Sequence, residues 1–371
     1  MSGSRSRLFG RVALLGTGLM GGSLGMAIRE CTLAEEVVGY DRDSETLATA
    51  LERGAVDRIS NCPEKAVEGA ELVILAVPIK LCGKLVESCA PHFMPGAVIT
   101  DLGSTKQFLV EELSGIIPDD VIYIGGHPMT GSEESGIEAA DPALLENAIY
   151  VLTPDGSKPE EQWRRLVHLI EGIGAQPLII SPAEHDRIVA LVSHLPHLAA
   201  VTLVKVAAEN EKKEMVQTLA AGGFRDTTRI AMGNPEVWRD ICSTNREEIS
   251  VLLTRYLHEL ENMRRMIEDG MEEEMAATLD RARSFRRRIP FRSRGILPEL
   301  FDIIVLVKDT PGTIGRIASI VGEAGFNIAE VEILHVREEE GGSIRLGFRQ
   351  KEQRDGALAV LKEQGYRVHR R

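Results

Sequence analysis

The sequence predicts an α/β domain with a mostly parallel, doubly wound sheet, then an all-α domain and a small C-terminal β-α-β-β-α-β module. Short apolar runs alternate with helical patterns in the first half, helical spacing dominates the middle, and strand patterns return at the end. We therefore place the α/β domain at residues 8–180, the helical domain at 181–290, a linker at 291–300 and the C-terminal module at 301–371.

The apolar runs of the first domain have the composition of buried strands. Most are continuous and rich in β-branched residues, without the alternation of a strand that has one face in water. Because helical patterns separate them, the strands are expected to pair mainly in parallel through crossover connections. The predicted strands are Val12–Leu15, Val37–Tyr40, Leu72–Val77, Val98–Asp101, Val121–Ile124, Ile149–Leu152 and Leu178–Ile180.

The helical domain begins at Pro182, just after the last of these strands. Proline suits the first turn of a helix, because its missing N–H would have no partner there. Apolar residues recur at helical spacing further along, as in Ile249–Met263, and form stripes wider than one chain is expected to bury. We therefore expect a homodimer, or an assembly of dimers, with helical contacts between subunits.

The charge and the cysteines exclude several classes of protein. The 371-residue chain has a formal net charge of -13, which argues against nucleic acid as a partner. Its five cysteines are scattered without a Cys-x-x-Cys pair, as expected of reduced thiols rather than of disulfides or a zinc site. The N-terminus lacks the pattern of a secretory signal, and no run approaches the ~18 apolar residues of a membrane span. A cytoplasmic protein without membrane contact is expected.

A glycine-rich turn joins the first predicted strand to the first helix. Gly16, Gly18 and Gly21 have the G-x-G-x-x-G spacing of Rossmann-type nucleotide-binding domains. The first glycine would allow the tight turn, the second the approach of a pyrophosphate, and the third the packing of helix on strand. The N–H groups at the start of the helix would bind the phosphates. The turn also contains Leu19 and Met20.

An acidic residue, Asp41, ends the second predicted strand. A carboxylate at this position accepts hydrogen bonds from the ribose hydroxyls and repels a 2′-phosphate, so NAD is the expected cofactor. Arg42 follows directly and could instead hold the extra phosphate of NADP. Val77 and Pro78, which end the third predicted strand, are also expected to contact the cofactor.

Three later segments carry polar residues that a buried scaffold does not require. Asp101–Lys106 and Gly125–Glu133 follow two successive strands, at the edge where open α/β sheets bind their ligands. Ser193–His197 lies within the first long helix of the second domain. A single histidine is more often structural than catalytic, but His127 would occupy a glycine-rich loop beside the cofactor crevice. That location favours a catalytic role.

A fourth segment places Arg225 and Arg229 after a Gly-Gly pair. They could form salt bridges in a surface turn, or bind an anion, since guanidinium groups suit carboxylates. Together these segments resemble the prephenate dehydrogenase family over residues 8–290, in the family's order and spacing. The matching motifs are G-x-G-x-x-G at Gly16–Gly21, D-x-G-S-x-K at Asp101–Lys106, H-P-M-x-G-[ST]-E at His127–Glu133, H-L-P-H at His194–His197, F-[RK]-D-x-T-R-I-A at Phe224–Ala231 and W-R-D at Trp238–Asp240.

The resemblance implies roles for individual residues. His127 would contact the C4 hydroxyl of prephenate and support hydride transfer, and Ser104 would hydrogen-bond both that hydroxyl and the histidine. Arg229 would bind a substrate carboxylate, and His197 would help to hold substrate or cofactor. The residues lining the mouth of the pocket would be Ser132 and Glu133.

The implied reaction is the NAD-dependent oxidative decarboxylation of prephenate to 4-hydroxyphenylpyruvate, a step of tyrosine biosynthesis. Oxidation at C4 needs a hydride acceptor, the nicotinamide, and an acceptor for the hydroxyl proton, a role that suits a neutral histidine. Loss of the ring carboxylate as CO2 then makes the ring aromatic, so no metal is required. His194 and His197 also lack the carboxylate or cysteine partners of a metal site.

The C-terminal module has the order of a ferredoxin-like fold and resembles an ACT domain. The hallmark D-x-P-G-x-[IL] matches Asp309–Ile314, and the N-I pair before the second strand matches residues 327–328. The resemblance implies an amino-acid effector, and the pathway makes tyrosine the expected one; a purely structural dimerisation module is the alternative. The expected effector site consists of Asp309, Pro311, Gly312, Gly315, Asn327 and Ile328.

Three other functions are compatible with parts of this pattern. Arogenate dehydrogenase oxidises the amino analogue of prephenate, and the sequence does not decide between the two substrates. β-Hydroxyacid dehydrogenases have a similar nucleotide domain but typically rely on a catalytic lysine in the helical domain. Lys205, Lys212 and Lys213 are the lysines in that region, and none lies in a recognisable motif. An amino-acid sensor that binds NAD without turnover is disfavoured by the set Ser104, His127 and Arg229.

Overall fold

The protein forms two compact units, of which the first runs to Arg288 and the second contains everything described from Leu300 onward. The computed structural model describes residues 7–131, 134–154, 156, 160–289, 300–307, 310–337 and 341–370. The strands described in the first unit are β1 Phe9–Leu15, β2 Ala34–Tyr40, β3 Arg58–Ile59, β4 Leu72–Leu75, β5 Val98–Asp101, β6 Ile122–Pro128, β7 Ile149–Thr153 and β8 Gln176–Ile179. The helices that alternate with them are α1 Leu19–Glu30, α2 Ser44–Glu52, α3 Pro63–Val67, α4 Cys82–Cys89, α5 Gln107–Leu113 and α6 Glu160–Gly172.

These strands form one sheet in the order β3-β2-β1-β4-β5-β6-β7-β8. All neighbours pair in parallel except β6 and β7, which are antiparallel. The predicted mostly parallel, doubly wound sheet is therefore confirmed. The strand order reverses between β1 and β4, which creates the crevice where such sheets bind nucleotides. Strand β3 was missed because it has only two residues, both exposed.

The two faces of the sheet pack into two separate apolar cores. In β1, Val12 and Leu14 belong to one core, and Ala13 and Leu15 belong to the other. All four side chains are fully buried. Because alternate residues of the strand are covered on opposite faces by helices, its apolar run is continuous and not alternating.

In the residues described after the sheet and up to Arg288, all the regular elements are helices. A continuous helix, Pro182–Ala208, changes to a wider π-helical turn at Ala190–His194. This turn lies just before Pro196, whose ring and missing N–H do not fit an ordinary helical interior. The helices are α7 Pro182–Val189, α8 Leu195–Ala208, α9 Lys213–Leu219, α10 Gly222–Thr228, α11 Pro235–Thr244, α12 Arg246–Glu268 and α13 Glu272–Arg288.

We expected no segment with the character of a membrane span, and for Pro182–Ala208 this expectation was wrong. By length and composition this helix could cross a membrane, with a mean hydropathy of 1.6 over its most apolar window. The helix is continuous through Ser193–His197, as the sequence predicted, and this continuity provides the length; the π-helical turn itself was not predicted. Only 28% of the window is buried within the chain, yet the helix carries the buried polar side chains of His185 and Asp186. Such a mixture is typical of a helix that packs between protein surfaces.

The second unit has the predicted β-α-β-β-α-β order. Its sheet has the order β10-β11-β9-β12 with antiparallel neighbours, which is the ferredoxin-like arrangement. Helix-facing residues such as Ile303, Val305 and Ile344 build a separate apolar core. The elements are β9 Phe301–Val307, α14 Thr313–Glu323, β10 Glu330–Arg337, β11 Gly341–Phe348, α15 Lys351–Glu363 and β12 Arg367–Arg370.

Candidate active site

The three glycines of the first turn meet different steric demands. Gly16 has a φ of +100°, and a Cβ there would lie 2.4 Å from the carbonyl oxygen of Ala76. A Cβ on Gly21 would lie 2.1 Å from the carbonyl oxygen of Gly16. In contrast, no described atom lies within 4 Å of a Cβ built on Gly18. The chain itself therefore requires Gly16 and Gly21, whereas Gly18 borders open space beside the start of α1.

A cleft of about 640 Å³, here called the cofactor cleft, opens beside this turn. Asp41 lies at its edge, and its carboxylate accepts hydrogen bonds from the Thr17 N–H at 2.8 Å and from the Asp43 N–H at 3.1 Å. These bonds fix the carboxylate at the carboxyl end of β2. The cofactor cleft is lined by Gly16, Gly18, Tyr40, Asp41, Arg42, Ala76, Val77, Pro78, Leu81, Lys84, Leu85, Glu87 and Ser88.

The lining of the cofactor cleft fits a dinucleotide. The first turn of α1 contains Leu19 and Met20 and has no acidic side chain, so its N–H groups are suited to a pyrophosphate. Six of the residues predicted to contact the cofactor line the cleft, while Gly21 packs under the turn. The sequence interpretation missed Lys84, a second cation close to Arg42, because α4 shows no nucleotide-binding motif.

His127 lies within strand β6, opposite Val151 of β7, and not in the loop that the glycine-rich sequence indicated. The strand continues through Gly125 and Gly126 because β7 pairs with it in the antiparallel direction. A Cβ on Gly126 would lie 2.5 Å from the carbonyl oxygen of Asp101, so this glycine permits close packing of β6 on β5.

A buried ion pair binds both backbone polar groups of Gly126, the residue before His127. The Gly126 N–H donates to Asp101 Oδ1 at 3.0 Å, and Lys106 Nζ donates to the Gly126 carbonyl oxygen at 2.7 Å. Lys106 Nζ also pairs directly with Asp101 Oδ2, and both side chains are almost completely buried. Tyr123 donates a further hydrogen bond to Asp101 at 2.9 Å. Asp101 and Lys106 therefore fix the position of the backbone next to His127.

His127 also bonds to the helical domain. Its Nδ1 lies 2.8 Å from Nε2 of His185, and Nδ1 of His185 lies 2.7 Å from Oδ1 of Asp186. The Asp186 carboxylate accepts the backbone N–H groups of Lys106 at 2.8 Å and Gln107 at 2.9 Å. We call Asp186, His185 and His127 the histidine chain. Burial, followed by the electrostatic effects of His185, Lys106 and His194 that disfavour a positive charge on His127, holds the pKa of His127 well below its usual value, so its imidazole is neutral near pH 7.

A second cluster surrounds His197 on α8. Its ring stacks on Trp238 at a centroid distance of 3.4 Å, and His194 meets the same indole edge-on at 6.0 Å. Burial lowers the pKa of His197, and its Nδ1 has no hydrogen-bond partner among the described residues. Asn245 lies 3.3 Å from Nδ1 of His194 and donates to the Asp186 carbonyl oxygen at 2.8 Å. This cluster therefore adjoins the histidine chain.

The remaining predicted site residues occupy more open positions. Ser104 is half-buried in the loop after β5. Arg229 is exposed and begins a short helical turn, Arg229–Met232, that packs beside α8. The predicted residues Ser132 and Glu133 lie outside the described part of the chain.

Two side-chain contacts connect the nucleotide-binding domain to α11. Thr105 Oγ1 lies 2.8 Å from Thr244 Oγ1, and Lys80 Nζ lies 3.3 Å from Asp240 Oδ1. Both Thr105 and Lys80 follow the carboxyl ends of strands. These contacts hold the helical domain against the edge of the sheet that carries the cofactor cleft.

The sequence interpretation missed His185 and Asp186 as site residues. The signal was the spacing of the buried face of α7, which consists of Pro182, His185, Asp186 and Val189. A histidine and an aspartate at core positions of a helix must have hydrogen-bond partners, and such partners often belong to a functional site.

Comparison with known proteins agrees with this geometry. The family described as prephenate dehydrogenase, nucleotide-binding domain, matches residues 24–179, and prephenate dehydrogenase, dimerization domain, matches residues 181–281. A prephenate dehydrogenase of Bacillus subtilis is 34% identical over 348 residues, which are 93% of this chain and 94% of that protein.

Two solved structures are similar. Prephenate dehydrogenase from Aquifex aeolicus, in complex with hydroxyphenyl propionate and NAD+, has a TM-score of 0.71 at 29% identity, over 78% of this chain and 100% of that chain. Arogenate dehydrogenase from Synechocystis has a TM-score of 0.67 at 30% identity, over 76% of this chain and 100% of that chain. This chain therefore belongs to the prephenate dehydrogenase family and is an NAD-dependent oxidoreductase.

Proposed function

We propose that the protein catalyses the NAD-dependent oxidative decarboxylation of prephenate to 4-hydroxyphenylpyruvate. The observation that carries this proposal is His127, a neutral histidine at the carboxyl edge of the sheet that also carries the cofactor cleft. Bound NAD supplies the hydride acceptor. The neutral imidazole accepts the proton of the C4 hydroxyl, and the carbonyl that forms at C4 allows the ring carboxylate to leave as CO2.

The other proposed residues bind the substrate or the cofactor and orient it. Ser104 donates a hydrogen bond at the C4 hydroxyl, and Arg229 binds a substrate carboxylate through its guanidinium group. His197 offers its unpartnered Nδ1 to substrate or cofactor. Ser132 and Glu133 remain proposed lining residues of the pocket mouth.

On the cofactor side, the first turn of α1, which includes Leu19 and Met20, binds the pyrophosphate. Asp41 accepts hydrogen bonds from the ribose hydroxyls. Gly16, Gly18, Arg42, Val77 and Pro78 line the same cleft, and Gly21 supports the turn.

Arogenate is the second candidate substrate, since the Synechocystis relative is an arogenate dehydrogenase. The two substrates differ only at the side chain, which is a keto group in prephenate and an amino group in arogenate. Measuring kcat/KM for each, from NADH absorbance with chromatographic identification of the product, tests the proposal. A preference for prephenate of at least about tenfold is expected; a preference for arogenate would overturn the substrate assignment while leaving the reaction class intact.

We also propose that the second unit is an ACT domain that binds tyrosine as a feedback inhibitor. A cavity of about 230 Å³ lies at the turn before α14. Gly312 and Gly315 border it, and no described atom lies within 4 Å of a Cβ on either glycine. Asn327 and Ile328 precede β10, and Pro311 belongs to the same turn. Asp309, also predicted for this site, lies outside the described residues.

Tyrosine sensitivity of the full chain tests the effector site. Tyrosine inhibits only if it binds the less active arrangement more tightly, and a coupling of about 1–3 kcal/mol changes substrate affinity roughly 5–150-fold. A Gly315→Leu variant, which fills the cavity, should lose this inhibition and keep the uninhibited turnover. If tyrosine inhibits the variant as strongly as the native chain, then tyrosine competes at the active site and the effector assignment fails.

We further propose a homodimer formed through the helical domain, in the cytoplasm. Large apolar side chains on α12 are exposed in the single chain: Leu257 is 63% and Ile267 is 70% exposed. An interface between two copies would cover them. Sedimentation of the purified protein tests this proposal, and a monomer at micromolar concentration would contradict it.

A further inference from the structure

The histidine chain crosses between two domains. His127 belongs to β6 of the nucleotide-binding domain, whereas His185 and Asp186 belong to α7 of the helical domain. His185 is fully buried, and Asp186 is 3% exposed. When both histidines are neutral, the geometry of this chain determines which nitrogen of each ring carries a proton.

The assignment of protons begins at Asp186. Its two carboxylate oxygens accept the backbone N–H groups of Lys106 and Gln107, so the carboxylate acts as an acceptor throughout. Nδ1 of His185 is therefore a donor to Asp186. In a neutral His185, Nε2 then carries the lone pair, and Nδ1 of His127 must donate to it. This leaves Nε2 of His127 without a proton.

We propose that His185 and Asp186 are positioning residues that fix the tautomer of His127, so that its Nε2 is the nitrogen that accepts the substrate proton. This inference rests on the proposed function, in which His127 is the base. When His127 takes up the proton, the imidazolium keeps its Nδ1–H bond to His185, and His185 keeps its bond to Asp186. The orientation of the base is thus set before the substrate binds.

The arrangement also makes the base depend on domain docking. Asp186 is held by N–H groups of the segment that follows β5, and Asn245 holds the Asp186 carbonyl oxygen from the helical side. The same segment supplies Lys106, which binds the peptide group before His127. A correct tautomer therefore requires the helical domain and the strand edge to be in contact.

Two readouts on the full-length protein test the inference, one of them independent of any substrate. Long-range 1H–15N spectra of protein labelled with 15N-histidine report the tautomer of each ring, and the chain has 9 histidines. His127 is assigned by comparison with His127→Asn. The native protein should show His127 protonated at Nδ1 and free at Nε2.

Asp186→Leu should reverse this pattern, because it removes the acceptor of the His185 Nδ1–H and adds no donor. A buried N–H without an acceptor is unfavourable, so the proton of His185 moves to Nε2 and is donated to Nδ1 of His127. His127 then keeps its proton on Nε2 and is no longer a base. Turnover should fall by about 10²–10⁴-fold, while the KM for substrate and the Kd for NAD change little. Asp57→Leu is the control, because Asp57 also accepts a backbone N–H, from Val37 at 2.8 Å, but lies just before β3.

A second pair of variants applies if Asp186→Leu does not fold. His185→Gln places an amide oxygen where it can accept from Nδ1 of His127, whereas His185→Leu removes the acceptor. The glutamine variant should keep the native His127 tautomer and at least about tenfold more turnover than the leucine variant. Equal losses in both would overturn the positioning role.

The spectra separate this inference from the proposed function. Native His127 carrying its proton on Nε2, or an unchanged tautomer in Asp186→Leu, would overturn the inference whatever the substrate is. A reversed tautomer with undiminished turnover would instead support the positioning role and remove His127 from the chemistry.

Discussion

The cofactor cleft and the histidine chain lie at the same edge of one sheet but are specified in different ways. The glycines that shape the cofactor cleft lie within one short turn, and Asp41 bonds directly to Thr17 of that turn. The histidine chain joins residues 58 positions apart, and Asp186 is held by backbone groups 79 and 80 positions away. A cofactor site can therefore be encoded locally, whereas the histidine chain, which contains the proposed base, depends on two docked domains.

The largest effect is expected from a substitution that breaks the histidine chain at His127. His127→Asn should lower turnover by about 10²–10⁴-fold, because no group remains to accept the hydroxyl proton, and NAD affinity should be unchanged. The proposed mechanism requires a neutral imidazole in the native enzyme, and burial lowers the pKa of His127. Turnover should therefore persist as the pH falls through about 6.5, the ordinary pKa of histidine, and decline only at lower pH.

Steady-state kinetics over this pH range and NAD calorimetry provide the measurements. Near-normal turnover in the variant would exclude the proposed role of His127. An acid limb at or above the ordinary histidine value would contradict the neutral, buried state.

The second effect concerns substrate binding on the helical side. Arg229→Gln should raise the KM for substrate by about 10–100-fold, as expected when a charge-assisted bond to a carboxylate is lost, without changing NAD affinity. Arg225→Gln on the neighbouring helix is the matched control, since Arg225 is exposed as well. A larger increase in KM for the control than for Arg229→Gln would reassign the carboxylate site.

The contrast between the two regions explains what the sequence could predict. The glycine turn and Asp41, which border the cofactor cleft, could be predicted as cofactor contacts because each occupies a fixed spacing around one strand–turn–helix unit. The domain order followed from periodicity, since strands covered on both faces are continuously apolar. Such signals are local, so they can be recognised without knowledge of how the elements pack.

The roles of His185 and Asp186 could not be assigned in this way. They lie four and five positions after Ser181, which caps α7, and in the sequence they resemble the polar start of an ordinary helix. Only the packing of that helix on the loop after β5 buries them. His127 was misplaced into a loop for a related reason: the antiparallel partner β7, distant in sequence, extends β6 through two glycines. Contacts between residues distant in sequence therefore determine both the burial of His185 and Asp186 and the position of His127 in a strand.

A third, smaller effect tests whether the cofactor cleft selects NAD. Asp41→Ser removes the carboxylate that we propose accepts hydrogen bonds from the ribose, and it should weaken NAD binding by about tenfold, the value of one or two hydrogen bonds. NADP binding should improve, because Arg42 and Lys84 line the same cleft and can meet a 2′-phosphate. Fluorescence titration with NADH and NADPH measures both changes. A native enzyme that already prefers NADP would rule out the role assigned to Asp41.

The smallest expected effect distinguishes stability from binding within the glycine turn. Gly16→Ala should lower the free energy of unfolding by about 1–3 kcal/mol, since the new Cβ meets the Ala76 carbonyl oxygen at a φ of +100°. Gly18→Ala should change stability by less than about 0.5 kcal/mol, because the Cβ meets no described atom within 4 Å, yet it should weaken NAD binding. Thermal unfolding with and without NAD separates the two variants, since bound NAD stabilises only a competent site. Equal destabilisation by both would mean that Gly18 serves the fold, and full NAD affinity in Gly18→Ala would mean that the pyrophosphate lies elsewhere.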